Sequence, residues 1–242
     1  MTLDEVLAGL FPAGHTIERE PHGIVSGTAR LDGVGQVALI GIVDGTPLGN
    51  EGALALAAHV LAIVERGDRW PIVALVDTSS QNMSRRDELL GLNEYLGHLN
   101  KCLAFAGTQG HRTVGVLYGQ AAAGALIATA LSTLALAALP GAEPFVMDLP
   151  SMSRVTKLPL EQLKEMAKST SIFAPGLDPL FATGAVTEKW DATNSPSKQL
   201  IALLQRTTGF SDRRDQTGLE RGGRKQAAAI AKRVQDEAAN HA

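Results

Sequence analysis

Apolar positions along this chain fall into runs of different period, and each period predicts a different element. Leu3 to Leu10 carries apolar residues at helical spacing and stops at Pro12 and Gly14, so a short helix is expected. Ile24 to Leu31 and Gln36 to Val43 read as two strands around Asp32-Gly33-Val34-Gly35, hence a hairpin. Asp44 to Asn50 reads as a loop and Glu51 to Glu65 as a helix. Pro71 then leads into Ile72-Val73-Ala74-Leu75-Val76-Asp77, a continuous apolar run of the kind that forms a strand buried on both faces.

The same reading continues through the second half. Ser84, followed by Asp87 and Glu88, predicts a capped helix that runs unbroken to about Phe105. Thr113 to Tyr118 predicts a strand, Gly119-Gln120 a tight turn, and Ala121 to Leu131 a helix that starts on very small residues. Leu134–Leu139 and Pro144–Met147 are short strands. Pro159–Lys168 is a helix, Ala174-Pro175-Gly176 a loop, Leu177–Thr183 a helical turn and Ala185–Trp190 a strand. Gln199–Gln205 and Leu219–Ala239 close the chain as helices. Strands alternating with helices imply an α/β fold around a mainly parallel sheet, with antiparallel character from the opening hairpin. No polar linker precedes about Asn194. Residues 1–193 are therefore read as one domain and 194–242 as a helical extension of it that serves assembly.

Composition narrows the function. The 242 residues are 45% hydrophobic but only 4% aromatic, which suits a large core with close backbone packing. A net charge of −3 gives no reason to expect nucleic acid or an anionic membrane as partner. The N-terminus lacks a signal-peptide profile, and the glycines that interrupt Val114–Leu139 fit strand, turn and helix better than a membrane span. A cytoplasmic protein is expected. Cys102 is the single cysteine and reads as an inert core thiol one helical turn from His98. His15, His22, His59, His98, His111 and His241 form no metal-ligand spacing with carboxylates, so no metal site is expected.

Two turns carry candidate chemistry. The first is Gly119 to Gly124, where backbone N–H groups at a helix start would face an anion or an oxygen gaining charge. Its Gly-x-x-x-x-Gly spacing is that of a phosphate loop, but Ala125 and Leu126 stand where Lys and then Ser or Thr are needed. The small residues would equally serve tight packing of a helix on a sheet. The second turn, Asp77 to Arg86, offers amides, hydroxyls and the cations Arg85 and Arg86. Ser84 also fits a plain helix cap, and Asp77 a turn-former rather than a proton donor. Arg85 and Arg86 lie at the unfavourable end of the helix dipole, which points either to an anionic partner or to a surface carboxylate. Both turns follow the carboxyl ends of adjacent parallel strands, where α/β proteins bind ligands. Asp212–Asp215 and Arg221–Arg224 read as solvated surface or docking contacts.

Gly119-Gln120-Ala121-Ala122-Ala123-Gly124-Ala125, Leu139 to Met147 and Gly184 to Trp190 together resemble the crotonase-like superfamily, which includes Clp-type proteases. The protease pattern places its nucleophilic serine at Ala123 and its histidine near Met147 or Asp148, so protease chemistry is excluded here. Asp77 to Gly91, Gly110 to Gly119 and Met147 to Met152 are more specifically similar to the gamma-subunit family of biotin-independent malonate decarboxylases. The resemblance runs from about Gly35 to Trp190. It departs from relatives that carry a serine near Ala122-Ala123.

The resemblance implies a crotonase-like fold with ββα-type units. It also implies loss of CO₂ from a malonyl thioester on an acyl carrier protein, through an enolate held by backbone donors. The donors would come from Gly119, Ala122, Ala123 and Gly124. Ser79, Ser80, Gln81, Ser84, Arg85, Arg86, Tyr118 and Gln120 would line the substrate. It implies no cofactor in this chain, the thioester being borne on the carrier's phosphopantetheine-type group. The implied partners are a homologous beta subunit facing this one, the acyl carrier protein and a transferase subunit. The alternatives are a biotin-dependent carboxyltransferase half and a non-catalytic assembly subunit. A self-sufficient acyl-CoA hydratase or isomerase would need paired carboxylates, and none stands beside either turn.

Overall fold

In the computed structural model, which describes residues 1–207 and 211–240, eight strands form one sheet: the first six lie side by side in chain order, the eighth flanks the sixth, and the seventh pairs with the fifth. Helix α1 (Leu3–Leu10) begins with a capping box, the Thr2 hydroxyl accepting from Glu5 N–H while the Glu5 carboxylate accepts from Thr2 N–H. Strand β1 (His15–Glu20), a mostly exposed edge that apolar periodicity did not reveal, pairs antiparallel with β2 (Ile24–Leu31). Strand β2 pairs antiparallel with β3 (Gly35–Gly45), confirming the hairpin. Helix α2 (Asn50–Glu65) then crosses to β4 (Ile72–Thr78), parallel to β3.

The single long helix expected after Ser84 is two. Helix α3 (Arg85–Leu89) stops, and α4 (Leu92–Thr108) restarts after Gly91 at φ 83°. Glycine takes that left-handed conformation freely and so ends the first helix. Strand β5 (Thr113–Ala122) runs four residues past its expected end. The six-residue α5 (Ala123–Ala128) follows it, then a 3-10 turn at Ala130–Ser132. The helix stops short of the expected Leu131 because Thr129 leaves helical geometry at φ −108°, ψ −85°, with its Oγ1 donating back to Ala125 O at 2.6 Å and Ser132 Oγ to Ile127 O at 2.7 Å.

Strand β6 (Ala135–Ala138) pairs with the first half of β5, and β7 (Glu143–Phe145) with its extension. Helices α6 (Leu149–Thr156), α7 (Leu160–Ser169) and α8 (Leu177–Ala182) precede the two-residue β8 (Glu188–Lys189). Of these, α6 lay in a stretch assigned to no element, and β8 is shorter than the strand expected from Ala185. Helices α9 (Pro196–Arg206), α10 (Arg214–Glu220) and α11 (Ala227–Asn240) end the described chain, so the expected final helix is broken at 221–226.

Both faces of the sheet are covered, which is why its central strands are almost wholly apolar. Ile40, Ile42, Ala74, Val76 and Leu117 pack under α2, α4 and α5. Leu39, Val73, Leu75, Val114 and Val116 pack under α1 and α9. Residues 194–240 therefore divide: α9 buries Leu200, Leu203 and Leu204 in the second core, whereas α11 buries no residue. The arginines read as solvated surface instead fasten α10 to the body. Arg214 donates to Leu131 O and Thr133 O, Arg221 to Phe181 O, Val186 O and Thr187 O, and Arg224 to Thr183 O. Among the described residues, no helix is long and apolar enough to cross a membrane.

Candidate functional site

The two candidate turns do meet, at the carboxyl ends of β4 and β5. The Gly124 N–H donates to Gln81 Oε1 at 2.8 Å, joining the start of α5 to the loop before α3. That loop is pinned from the other side by 44–50. Ser79 N–H donates to Gly45 O, Leu48 N–H to Ser80 O and Asn82 N–H to Leu48 O. Thr78 Oγ1 donates to Thr46 O at 2.6 Å, and Ser80 Oγ to Gln81 O at 2.8 Å. Ser84 is a cap, its hydroxyl accepting from Asp87 N–H at 3.0 Å.

The expected tight turn at Gly119-Gln120 is strand. Gln120, Ala121 and Ala122 pair in parallel with Glu143, Pro144 and Phe145, a partner that returns from later in the chain. Reversal comes instead at Ala122–Ala123, where Ala123 takes φ 51°. That left-handed conformation is strained for alanine and persists only where its surroundings hold it. With six residues, α5 has little dipole, so local amides rather than a helix field would meet a ligand here. Ala123 and Gly124 are partly exposed, and Ala122 is buried.

Three expected substrate contacts are placed differently. Tyr118 faces the opposite core from α5, with its hydroxyl buried. Burial first, then the Asp77 and Asp44 charges, push its proton affinity well above an ordinary phenol. Gln120 is exposed, and its N–H is taken by Asp77 Oδ1 at 3.0 Å. Arg86 pairs with Glu51 at 2.6 Å and lies 3.6 Å from Asp87, so a carboxylate explains that cation. Arg85 is exposed and makes no ion pair among the described residues. Cys102 is buried, 3.7 Å from a ring nitrogen of His98, and burial raises its thiol pKa, as an inert thiol requires. His241 lies outside the described residues.

The reading from residues undervalued Asp77, whose carboxylate also accepts from Gly45 N–H at 3.2 Å. It missed Asp87, a buried carboxylate that accepts from the Asn82 side chain while its carbonyl accepts from Asn50 Nδ2. Neither carboxylate is available as an acid–base pair. Among the described residues, no group of three or more His, Cys, Asp or Glu side chains is placed to hold a metal. A groove of 860 Å³ lies beyond β7, lined by Phe145, Met147, Met152, Ile172 and Leu180 with Arg224 and Lys225. Neither turn lines it, although it begins at Phe145, the register partner of Ala122.

Comparison with known proteins bears on this geometry. The family model for the malonate decarboxylase gamma subunit (MdcE) matches residues 43–238. The malonyl-S-ACP:biotin-protein carboxyltransferase MADD of Malonomonas rubra is 31% identical over 155 residues, 62% of this chain and 52% of that protein. The chain thus spans about half the length of that curated relative. A Pseudomonas malonate decarboxylase hetero-tetramer, solved with coenzyme A, superposes with a TM-score of 0.81 at 23% identity, over 96% of this chain and 97% of that one. The transcarboxylase 12S core gives 0.68 at 16% identity, over 85% of this chain and 40% of that one. At such identities the structures speak to fold, and they bear out the expected layered α/β architecture around a mainly parallel sheet.

Proposed function

Since the chain belongs to the malonate decarboxylase gamma-subunit family, we propose that it forms half of a site that decarboxylates a malonyl thioester. The other half would come from a homologous beta subunit; the Pseudomonas relative was solved as an MdcD–MdcE hetero-dimer. The substrate would be malonyl-S-acyl carrier protein and the products acetyl-S-acyl carrier protein and CO₂. A transferase subunit would load the carrier. The chain itself would need no cofactor, and the reaction would take place in the cytoplasm. Residues 1–193 and 194–242 would act as one domain, α9 packing into the body and α11 left for assembly.

The chemistry follows from what the elbow has and lacks. Loss of CO₂ leaves an enolate, whose oxygen gains negative charge as the C–C bond breaks. Backbone N–H groups aimed at developing charge contribute about 3–4 kcal/mol each. No base is required to begin, which suits a site whose carboxylates are already engaged. The observation that carries this reading is the Gly124 N–H, held at 2.8 Å by an amide oxygen, that of Gln81. An acyl oxygen of the substrate would replace it. The partner subunit would grip the rest of the thioester, and this chain, through Ala122, Ala123 and Gly124 with Ser79 to Arg86, would hold the oxygen that becomes the enolate as CO₂ departs.

The M. rubra relative supports a second reading, in which the same elbow faces the ureido oxygen of biotin in a carboxyltransferase. Purifying the chain with its neighbouring subunits and assaying CO₂ release from malonyl-carrier protein tests both. Release without biotin is the expected result. Transfer of the carboxyl group to a biotinylated acceptor, with no CO₂ released in its absence, selects the carboxyltransferase. No release by the assembled complex in either assay leaves this chain as a brace for its partner.

A further inference from the structure

Beyond Val76 the parallel ladder between β4 and β5 loses its register. Val76 faces Leu117, yet Thr78 faces Ala121, so Asp77 alone stands opposite Tyr118, Gly119 and Gln120. The other side of β4 breaks at the same height, with Ile42 opposite Val76 and Gly45 opposite Thr78. Val43 and Asp44 therefore also face Asp77. Amides stranded by such gaps need acceptors. The Asp77 carboxylate serves both sides, Oδ2 accepting from Gly45 N–H at 3.2 Å and Oδ1 from Gln120 N–H at 3.0 Å. Gly119 packs flat against it: an added Cβ would lie 2.3 Å from Oδ1 and 2.5 Å from Cγ.

We propose that Asp77 is a positioning residue, its carboxylate bridging both breaks in the sheet and so fixing how far Ala121 to Gly124 project past the strands. It touches no substrate. Its influence would travel through Gln120 to the elbow, where Ala123 must be kept at its strained φ of 51°. A carboxylate suits this place because it presents acceptors on both sides, whereas an Asn amide would turn a donor toward one of the two N–H groups. The catalytic consequence rests on the decarboxylase reading above; the bridge itself does not.

The test uses the assembled complex carrying Asp77→Asn, Gly119→Ala or both. Asp77→Asn should lower kcat about 100-fold, the scale of an ångström's misplacement, while KM changes by less than about two-fold. Gly119→Ala leaves the carboxylate in the chain but pushes it aside, and should give a similar loss. The double variant should be no worse than either single one, because both break the same joint. A lower melting temperature with unchanged kcat per assembled complex would overturn the proposal. A readout free of activity is hydrogen exchange over 119–125, which should quicken in Asp77→Asn while 72–76 stay protected. Equal protection in variant and wild type would also overturn it. If the unsubstituted complex releases no CO₂, the decarboxylase reading alone falls, and exchange still decides the role of Asp77.

Discussion

The lower and upper halves of the central strand pair are built on different physics. From Ile72 to Val76, β4 faces Thr113 to Leu117 of β5 residue by residue, every one of them buried. Val73 and Leu75 enter one core while Ala74 and Val76 enter the other. Above Val76 the register slips, and side chains from distant loops hold the backbone instead: Asp77 on Gly45 and Gln120, Thr78 on Thr46, Gln81 on Gly124. The lower half contributes stability and the upper half sets geometry. The candidate site stands where regular pairing ends, because only there are backbone groups free to be aimed.

The comparison breaks most heavily at Leu75, which is completely buried in the lower half. Leu75→Ala should cost about 2–5 kcal/mol of folding stability, read as a lower denaturation midpoint. The complex that remains folded should turn over near the unsubstituted rate. A matching collapse in kcat would mean that the two halves are not separable.

Gly124 tests the upper half. A Cβ there would already lie 3.2 Å from Gln81 Oε1 and 3.3 Å from Leu96 Cδ1. Gly124→Val should therefore cost roughly 1–3 kcal/mol by overpacking, less than the Leu75 substitution. Turnover of malonyl thioester should fall by about 100-fold or more, the scale of a lost oxyanion donor, with the subunits still assembling. Unchanged turnover would remove the elbow from the mechanism.

The same division decides what residues alone could reveal. The apolar run from Ile72 announces the lower half of β4 unaided, and the hairpin between β2 and β3 is equally plain. The upper half is hidden because its acceptors are remote in sequence. Gln81 and Gly124 are 43 residues apart, as are Asp77 and Gln120. Gly119-Gln120 looks like a turn until β7 returns to pair with it, and Asp77 looks like a turn-former until both its oxygens are occupied. Arg86 could equally meet an anionic partner or a surface carboxylate, and only the fold brings Glu51, on another helix, to it. Gly91, by contrast, was visible, and its left-handed conformation should have divided the long helix.

A gentler probe is Gln81→Ala. It removes one partly buried hydrogen bond, worth about 0.5–1.5 kcal/mol, and uncovers the Gly124 N–H. If the Gln81 oxygen occupies the place of a substrate oxygen, KM should fall while kcat holds. A raised KM would instead make Gln81 a substrate contact, and an unchanged one would make the joint purely structural.

The smallest effect belongs to the Glu51–Arg86 pair beside the site. Arg86 is mostly exposed and Glu51 partly so, and salt and side-chain freedom leave the pair little net stability. The sign of its pH dependence is nevertheless fixed. The backbone N–H of Glu51 first, then the Arg86 guanidinium, hold the carboxyl below its ordinary value of 4.5. A depressed carboxylate pKa stabilises the fold above the unfolded value, and that stabilisation is lost as pH falls through the folded one. Glu51→Gln should thus lower the melting temperature slightly at neutral pH and not at all once Glu51 is protonated in both states. The neutral-pH difference should shrink in high salt. A difference that survives acid and salt would mean that Glu51 acts through packing, and Arg86 would then return to the candidates for binding the substrate's carboxylate.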